Sequence, residues 1–339
     1  MILFPVFGQT PAGDRLRRMQ GSPNYKDGAF RNMFPTEVTL KDVTFWKMLR
    51  EYRHRPANTA PDKPVPSVRT DLRRLPDDKV SIVWFGHSSY LVKIHTTHIL
   101  VDPVFSGNAS PFSFFAKAFP GTGGYGVGDM PDRIEKVLLT HDHYDHLDYK
   151  TIRQLGGRVQ RFYTSLGVGA HLEKWGIPAD RITELDWWEN SDIFTATPAR
   201  HFSGRSFKRG GTLWSSFVVK TAGTSLFLGG DSGYGEHFKM IGERYGPFDI
   251  AVLECGQYGK HWPYIHMMPE QTVAAAQDLG ARNLLPVHWA KFTLALHPWD
   301  EPIRRVTAAA ERAGQRITTP RIGEPVVLDE QYPSDHWWE

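Results

Sequence analysis

Four side chains able to ligate a metal crowd into the six residues HDHYDH at positions 141 to 146: His141, His143, Asp145 and His146. The apolar run KVLLT (136–140) stands directly before them, so the group sits at the end of an expected strand. On extended chain, residues i and i+2 point the same way, which lets His141 and His143 grip one ion together. Asp145 and His146 follow where the chain turns and can reach a second ion. Two ions roughly 3.5–4 Å apart form a clamp that hydrolyses phosphoesters and acyl bonds. A single histidine here would read as a surface or core residue; four donors at this spacing argue for a metal centre.

Further donors stand at other strand ends. His201 follows FTATPA (194–199), Asp231 closes SLFLGGD (225–231), and His288 closes NLLPVH (283–288). The expected division places His141, His143, His201 and Asp231 on one ion, and Asp145, His146, His288 and Asp231 on the other, with Asp231 bridging. Cys255 is the only cysteine, so neither an intrachain disulfide nor a thiolate-rich zinc site can be built. Imidazole beside carboxylate suits two divalent ions, Zn2+ first and Mn2+ or Fe2+ as alternatives. Water shared by two such ions is acidified towards a pKa of about 7 and supplies hydroxide as the nucleophile.

The elements that must hold these residues are legible as texture. Short apolar runs bounded by Gly, Pro and Asp read as strands: SIVWFG (81–86), YLVKI (90–94), HILVDP (98–103), KVLLT, RFYTS (161–165), FTATPA, SSFVVKT (215–221), SLFLGGD, IAVLEC (250–255) and NLLPVH. Between them DYKTIRQLG, LGVGAHLEKWG, GEHFKMIGERYG, PEQTVAAAQDLG and EPIRRVTAAAERAG have helical spacing and end in Gly. Strands cluster first and alternate with helices later, the order expected of two mixed sheets packed between helix layers, an α/β sandwich of αββα type. Residues 1–79, rich in Pro, Arg and Asp, read as an extension packed on a body formed by 80–339. The Gly- and Phe-rich connection 106–131 carries Phe112, Phe114, Phe115 and Phe119, which would line an acyl-chain wall, touch a membrane or fill core. Trp187 and Trp188 read as packing residues.

Composition narrows the classes. A chain of 339 residues with 40% apolar side chains can fill a sizeable core. The balance of 40 basic and 37 acidic residues predicts no nucleic-acid partner. Residues 1–80, with 15 basic and 9 acidic side chains, read as an ordinary solvated face, with contact to an anionic surface as the alternative. No apolar stretch approaches the roughly 18 residues of a membrane span, and MILFPVFG lacks the pattern of a signal peptide. The expected location is cytoplasmic, with membrane association open. No phosphate-binding glycine motif is present. GDSG (230–233) is not read as a serine nucleophile, because Asp231 already has a metal role.

HDHYDH resembles the H-x-H-x-D-H signature of the metallo-β-lactamase superfamily. The segments FGHSSYLV (85–92), LVDPVFSGNASP (100–111), ELDWWE (184–189), TPARHFSGR (197–205), GDSGYGEHFKMIGERYGPFDIA (230–251) and PVHWAKFTLA (286–295) resemble, more narrowly, the phospholipases D that hydrolyse N-acyl-phosphatidylethanolamine. That resemblance, over most of residues 20–328, implies the same seven metal ligands with Asp231 as bridge. It implies P–O cleavage that releases an N-acylethanolamine and leaves phosphatidic acid. It also singles out His266 in YIHMMPEQT, as a group holding a phosphate oxygen or steadying the leaving group; read alone, His266 is equally a loop residue capping the next helix. Asp145 is expected to orient the nucleophile, and Phe112, Phe114, Phe115 and Tyr258 to contact substrate. The chain departs from the family in GQYGKHWPYIH (256–266), which is shorter, and in the N-terminal extension. A lactonase, a cyclic-phosphate or nucleic-acid phosphodiesterase of the same fold, and a non-catalytic metal-containing binding protein stay open as alternatives.

Overall fold

The computed structural model describes residues 4–41, 43–205 and 209–339. Ahead of the main sheets come helix α1 (Gly13–Gln20), a two-stranded hairpin of β1 (Tyr25–Lys26) and β2 (Ala29–Phe30), and helix α2 (Phe45–Arg53). A meander of β3 (Val80–Trp84), β4 (Tyr90–Ile94) and β5 (Thr97–Val101) then leads into β6 (Ile134–Leu139), β7 (Val159–Ser165) and β8 (Ile182–Leu185), which run parallel to β5. Helices α3 (Tyr149–Leu155) and α4 (Gly169–Lys174) make the crossovers that parallel pairing requires. The second sheet repeats the plan. Antiparallel β9 (Asn190–Ser191), β10 (Phe194–Thr197), β11 (Ser216–Thr221) and β12 (Thr224–Leu228) are followed by parallel β13 (Ile250–Glu254), β14 (Asn283–Val287) and β15 (Arg316–Ile317). Here α5 (His237–Tyr245), α6 (Pro269–Asp278) and α7 (Glu301–Ala313) supply the crossovers, and β16 (Pro325–Val327) returns to pair with β3.

Two seven-stranded mixed sheets with helices against them make the αββα sandwich expected from the sequence. Strands β3, β4, β13 and β14 are buried along their whole length, which is why they read as unbroken apolar runs rather than alternating ones. Pro286 is tolerated inside β14 because the pairing of β14 with β15 ends at Leu284, so no neighbour needs the missing N–H. Helix α7 stops at Gly314, whose φ of 64° is the left-handed turn that Gly adopts without penalty.

Each apolar run read as a strand contains one. The helix expected over 166–176 is shorter, Gly169–Lys174. Helices α1 and α2 are amphipathic but lie in a Pro- and Arg-rich stretch read as an extension, and strands β8, β15 and β16 are short and mixed in polarity. In β8, Glu184 points inward and accepts from the N–H groups of Gly167 and Gly169 and from Arg15 (2.7, 3.0 and 2.7 Å). The N-terminal region packs on the sandwich through such contacts. Met19 and Phe30 join Leu166, Trp187, Leu213 and Trp214 in a small second core, and the Trp175 indole donates to the carbonyl of Pro5. At the other end of the chain Trp337 stacks on Trp289, with ring centres 5.1 Å apart.

The parallel strands of both sheets end at one edge of the sandwich. Asp102 and HDHYDH follow β5 and β6; Asp231, Glu254 and His288 lie at the ends of β12, β13 and β14. Crevices outside the carboxyl ends of parallel strands are the usual ligand sites of α/β sheets.

Candidate metal centre

The loop after β6 is anchored before its histidines can be. Arg205, fully buried, donates to the carbonyls of Asp142 and Leu147 at 2.8 Å each, and its charge lies over the Tyr144 and Trp175 rings. The Asp142 carboxylate accepts from the N–H of Gly204 (2.9 Å). Asp231 is reached through Gly229 and Gly230, where a Cβ would lie 2.7 Å from the Val252 carbonyl and 2.6 Å from that of Ser215; only glycine allows that approach. His201 is clamped at its backbone by Asn32, whose amide donates to the His201 carbonyl (2.7 Å) and accepts from its N–H (3.0 Å).

These supports bring all seven expected ligand positions together. His143 Nδ1 lies 3.0 Å from His141 Nε2 and 3.1 Å from His201 Nε2. Asp231 Oδ2 stands 3.8, 3.7 and 3.2 Å from the Nε2 atoms of His141, His201 and His146, and Asp231 Oδ1 lies 3.1 Å from His288 Nδ1. Three groups of donors emerge: His141, His143, His201 and Asp231; His87, Asp145, His146 and His288; and Asp231, Glu254, His266 and His288. Asp231 lies between the first two groups, where a bridging ligand would stand.

The hydrogen-bond network assigns which ring nitrogens carry protons. Thr140 Oγ1 donates to Asp102 Oδ2 (2.6 Å), so it accepts from His141 Nδ1–H (2.9 Å) and leaves the His141 Nε2 lone pair facing inward. His201 Nδ1–H donates to the Ile265 carbonyl (2.9 Å), and His146 Nδ1–H to Asp102 Oδ2 (2.7 Å). His146 Nε2 is buried without a hydrogen-bond partner among the described residues. Inward lone pairs, an orphaned buried nitrogen and outer nitrogens held by carbonyl, hydroxyl or carboxylate are what divalent-ion ligation by imidazole requires. The residues fit such ions.

Charge states agree with this at His141, His143, His201 and His288, whereas at His146 the surrounding carboxylates favour a positive charge, which a proton or a bound cation can supply. Burial, reinforced by neighbouring imidazoles, holds His141 and His201 well below the ordinary histidine range. Burial also lowers His143 and, more strongly, His288, although nearby carboxylates pull both the other way. His146 goes up: burial opposes protonation, but Asp231, Asp145 and Asp102 outweigh it. Asp145 and Asp231 are held below the carboxylate range despite burial, chiefly by His146. Beside the cluster, His266 Nδ1 donates to Glu254 Oε2 at 2.6 Å. Burial raises Glu254 to about 7, and Glu254, overcoming the burial penalty, raises His266 to about 9.

His266 therefore does not cap α6, as a reading of its loop alone would allow; Gln271 takes that role by accepting from the Met268 N–H (2.9 Å). The phenylalanines divide. Phe119 is core, whereas Phe112, Phe114 and Phe115 are 47%, 66% and 59% exposed and pack on one another, which overturns core packing for these three. Tyr258 does not join the donor groups: its hydroxyl donates to Glu301 (2.6 Å), its ring stacks on His297, and it lines a separate cavity of about 410 Å3. Another cavity, about 600 Å3, opens beside His201 between Phe202, Arg209 and residues 29–38 of the N-terminal region. Sequence reading missed His87, Asp102, Glu254 and Asn32. Two carried a signal, since Asp102 and Glu254 are carboxylates inside or closing apolar strand runs.

The fold and the donor groups define a metal-dependent hydrolase. A profile described as the Beta-lactamase superfamily domain matches residues 97–289. An uncharacterised Mycobacterium tuberculosis protein is 39% identical over 331 residues, covering 94% of this chain and 87% of its own length. N-acyl-phosphatidylethanolamine-hydrolyzing phospholipase D 1 of Caenorhabditis elegans is 30% identical over 264 residues, covering 71% and 74%. Among solved structures, the metallo-hydrolase Igni18 from Ignicoccus hospitalis superposes with a TM-score of 0.57 at 19% identity, over 75% of this chain and all of that one. The chain belongs to the metallo-β-lactamase superfamily, among relatives that include phospholipases D acting on N-acyl-phosphatidylethanolamine.

Proposed function

We propose that the protein is a dinuclear phosphodiesterase of phospholipase D type whose substrates are phospholipids of the N-acyl-phosphatidylethanolamine kind. The observation that carries this reading is two adjoining donor groups with Asp231, a member of the first, 3.2 Å from His146 and 3.1 Å from His288 of the second, and the Glu254–His266 pair beside them. His141, His143, His201 and Asp231 would hold one ion, and Asp145, His146, His288 and Asp231 the other. Two divalent cations, Zn2+ by preference for this donor set, supply Lewis acidity towards phosphate oxygens and acidify water at neutral pH.

The chain's own residues do the rest. Asp145 orients the attacking water. Glu254 keeps His266 protonated at neutral pH, so the imidazolium stands ready as a general acid. As water adds to phosphorus and the P–O bond to the N-acylethanolamine breaks, the proton passes from His266 to the departing alkoxide oxygen; phosphatidic acid is left. The proton released by the attacking water restores the imidazolium through solvent. The cavity beside His201 suits the apolar part of such a substrate, with Met33, Phe34 and Phe202 along it and Arg209 placed for anionic oxygens. Exposed Phe112, Phe114 and Phe115 offer peripheral contact with a membrane surface on the cytoplasmic side. The activity named for the Caenorhabditis relative supports the choice of substrate.

The test is elemental analysis of the purified protein coupled to a hydrolysis panel of N-acyl-phosphatidylethanolamine, bis(p-nitrophenyl) phosphate and an acyl-homoserine lactone. Two metal equivalents and turnover of both phosphodiesters are expected. Turnover of the lactone alone would move the function to a lactonase, and full metal with no turnover would make the chain a binding protein.

A further inference from the structure

One buried histidine beside the proposed ligands is still without a role. His87 closes β3 in FGHSS, is fully buried, and places Nε2 2.9 Å from Asp145 Oδ2. Its ring centre lies 4.0 Å from that of His288, and Phe292 packs against it edge-on at 5.2 Å. The backbone is arranged to put it there. His87 has a φ of 54° and His288 a φ of 67°, both left-handed. Each turn holds the other, because His288 N–H donates to the His87 carbonyl (2.9 Å) and His87 N–H to the Trp289 carbonyl (3.0 Å). Left-handed backbone outside Gly and Asn carries strain, and such positions concentrate where a side chain is needed at one particular spot.

The protonation of His87 follows from its surroundings. Nδ1 is buried and has no hydrogen-bond partner among the described residues. If Nδ1 carried the proton, a buried N–H donor would be orphaned and a lone pair would face the Asp145 carboxylate across 2.9 Å. With the proton on Nε2, Asp145 accepts a charge-assisted hydrogen bond and only an acceptor lone pair is left unmatched, the less costly arrangement.

We propose that His87 is a positioning residue of the metal centre: its Nε2–H fixes the Asp145 carboxylate on the half of the site formed with His146 and His288, and His87 is not itself a ligand. The inference rests on the two-ion reading given above. A carboxylate ligand free to rotate loses its fixed direction, and removing such outer partners typically weakens metal affinity 10–100-fold.

Two variants of the full chain separate donor from ring. His87→Phe keeps a planar ring against Phe292 and His288 but has no donor. His87→Gln is a smaller change in chemistry, with an amide N–H at a similar reach. Metal content is measured by elemental analysis after dialysis against graded chelator, with thermal melting of each variant alongside. Wild type is expected to hold two equivalents, His87→Gln two, and His87→Phe one, with the second bound at least about tenfold more weakly. His87→Phe holding both equivalents as tightly as wild type would overturn the positioning role. His87→Gln losing the second equivalent would also overturn it, since the imidazole would then be the ligand. Should His87→Phe fail to fold, retention of both equivalents by His87→Gln still decides between donor and ligand. A wild type with fewer than two equivalents would count against the two-ion reading itself, a result separate from either variant's behaviour.

Discussion

Histidines of one pocket titrate in opposite directions, according to burial and the charges packed around each ring. At the ends of β6 and β10, His141 leans on the Thr140 hydroxyl and His201 on the Ile265 carbonyl; both are pushed down and present lone pairs. In the loop between β13 and α6, His266 leans on the carboxylate of Glu254, the last residue of β13, and is pushed up, so it keeps a proton. Burial alone would lower all three. For these three a neutral partner lets burial win, whereas the Glu254 carboxylate reverses the sign; His146, raised by Asp231, Asp145 and Asp102, and His87, lowered by burial although it meets Asp145, show that burial and all nearby charges together set the direction. One side of the pocket is therefore built to hold cations and the other to hold a proton.

The largest expected effect comes from removing the residue the two proposed ion sites share. Asp231→Ala should lose both metals and with them at least about 10³-fold in turnover, since water at neutral pH is then no longer activated. Elemental analysis beside a phosphodiesterase assay checks this, and wild-type turnover would remove the bridging role. His266→Ala tests the other side of the comparison. It should keep both metals while slowing cleavage of an alkyl phosphodiester about 10²-fold, the lower end of what a general acid contributes. A p-nitrophenyl ester, whose leaving group needs no proton, should be much less affected. A lost metal would make His266 a ligand instead.

The smallest effect is on the stability of the metal-free protein. His141, His143, His201 and His288 are held below the ordinary value of 6.5, so the unfolded chain binds more protons and stability falls as pH drops through and below that value. His266 is raised to about 9, so its contribution is complete below 6.5 and is lost as pH rises through about 9. Thermal midpoints of chelated protein should therefore peak near neutrality. Glu254→Gln should flatten the alkaline side and also remove the fall in stability between 4.5 and about 7 that the raised Glu254 carboxyl itself produces; an unchanged alkaline slope would show that Glu254 does not hold the His266 proton.

Local sequence carried much of this. HDHYDH announces itself because four donors within six residues after an apolar run have no packing purpose, and the buried strands are legible because both of their faces need apolar side chains. Glu254 was visible only as an acid in the run IAVLEC. His87 stood unremarked in FGHSSYLV and Asn32 in the N-terminal extension; their importance lies in what they touch 58 and 169 residues away.

The chain's local order thus determined the strand-end placement of His141, His143, His201, Asp231 and His288, since strand periodicity and ligand chemistry are short-range properties. The tertiary structure decided which nitrogen of each ring faces inward, that Glu254 protonates His266, that His87 meets Asp145, and that residues 29–38 wall the cavity beside His201. Hydrogen-bond partners and burial belong to pairs of residues distant in the chain, and those pairs exist only once the two sheets have closed on each other.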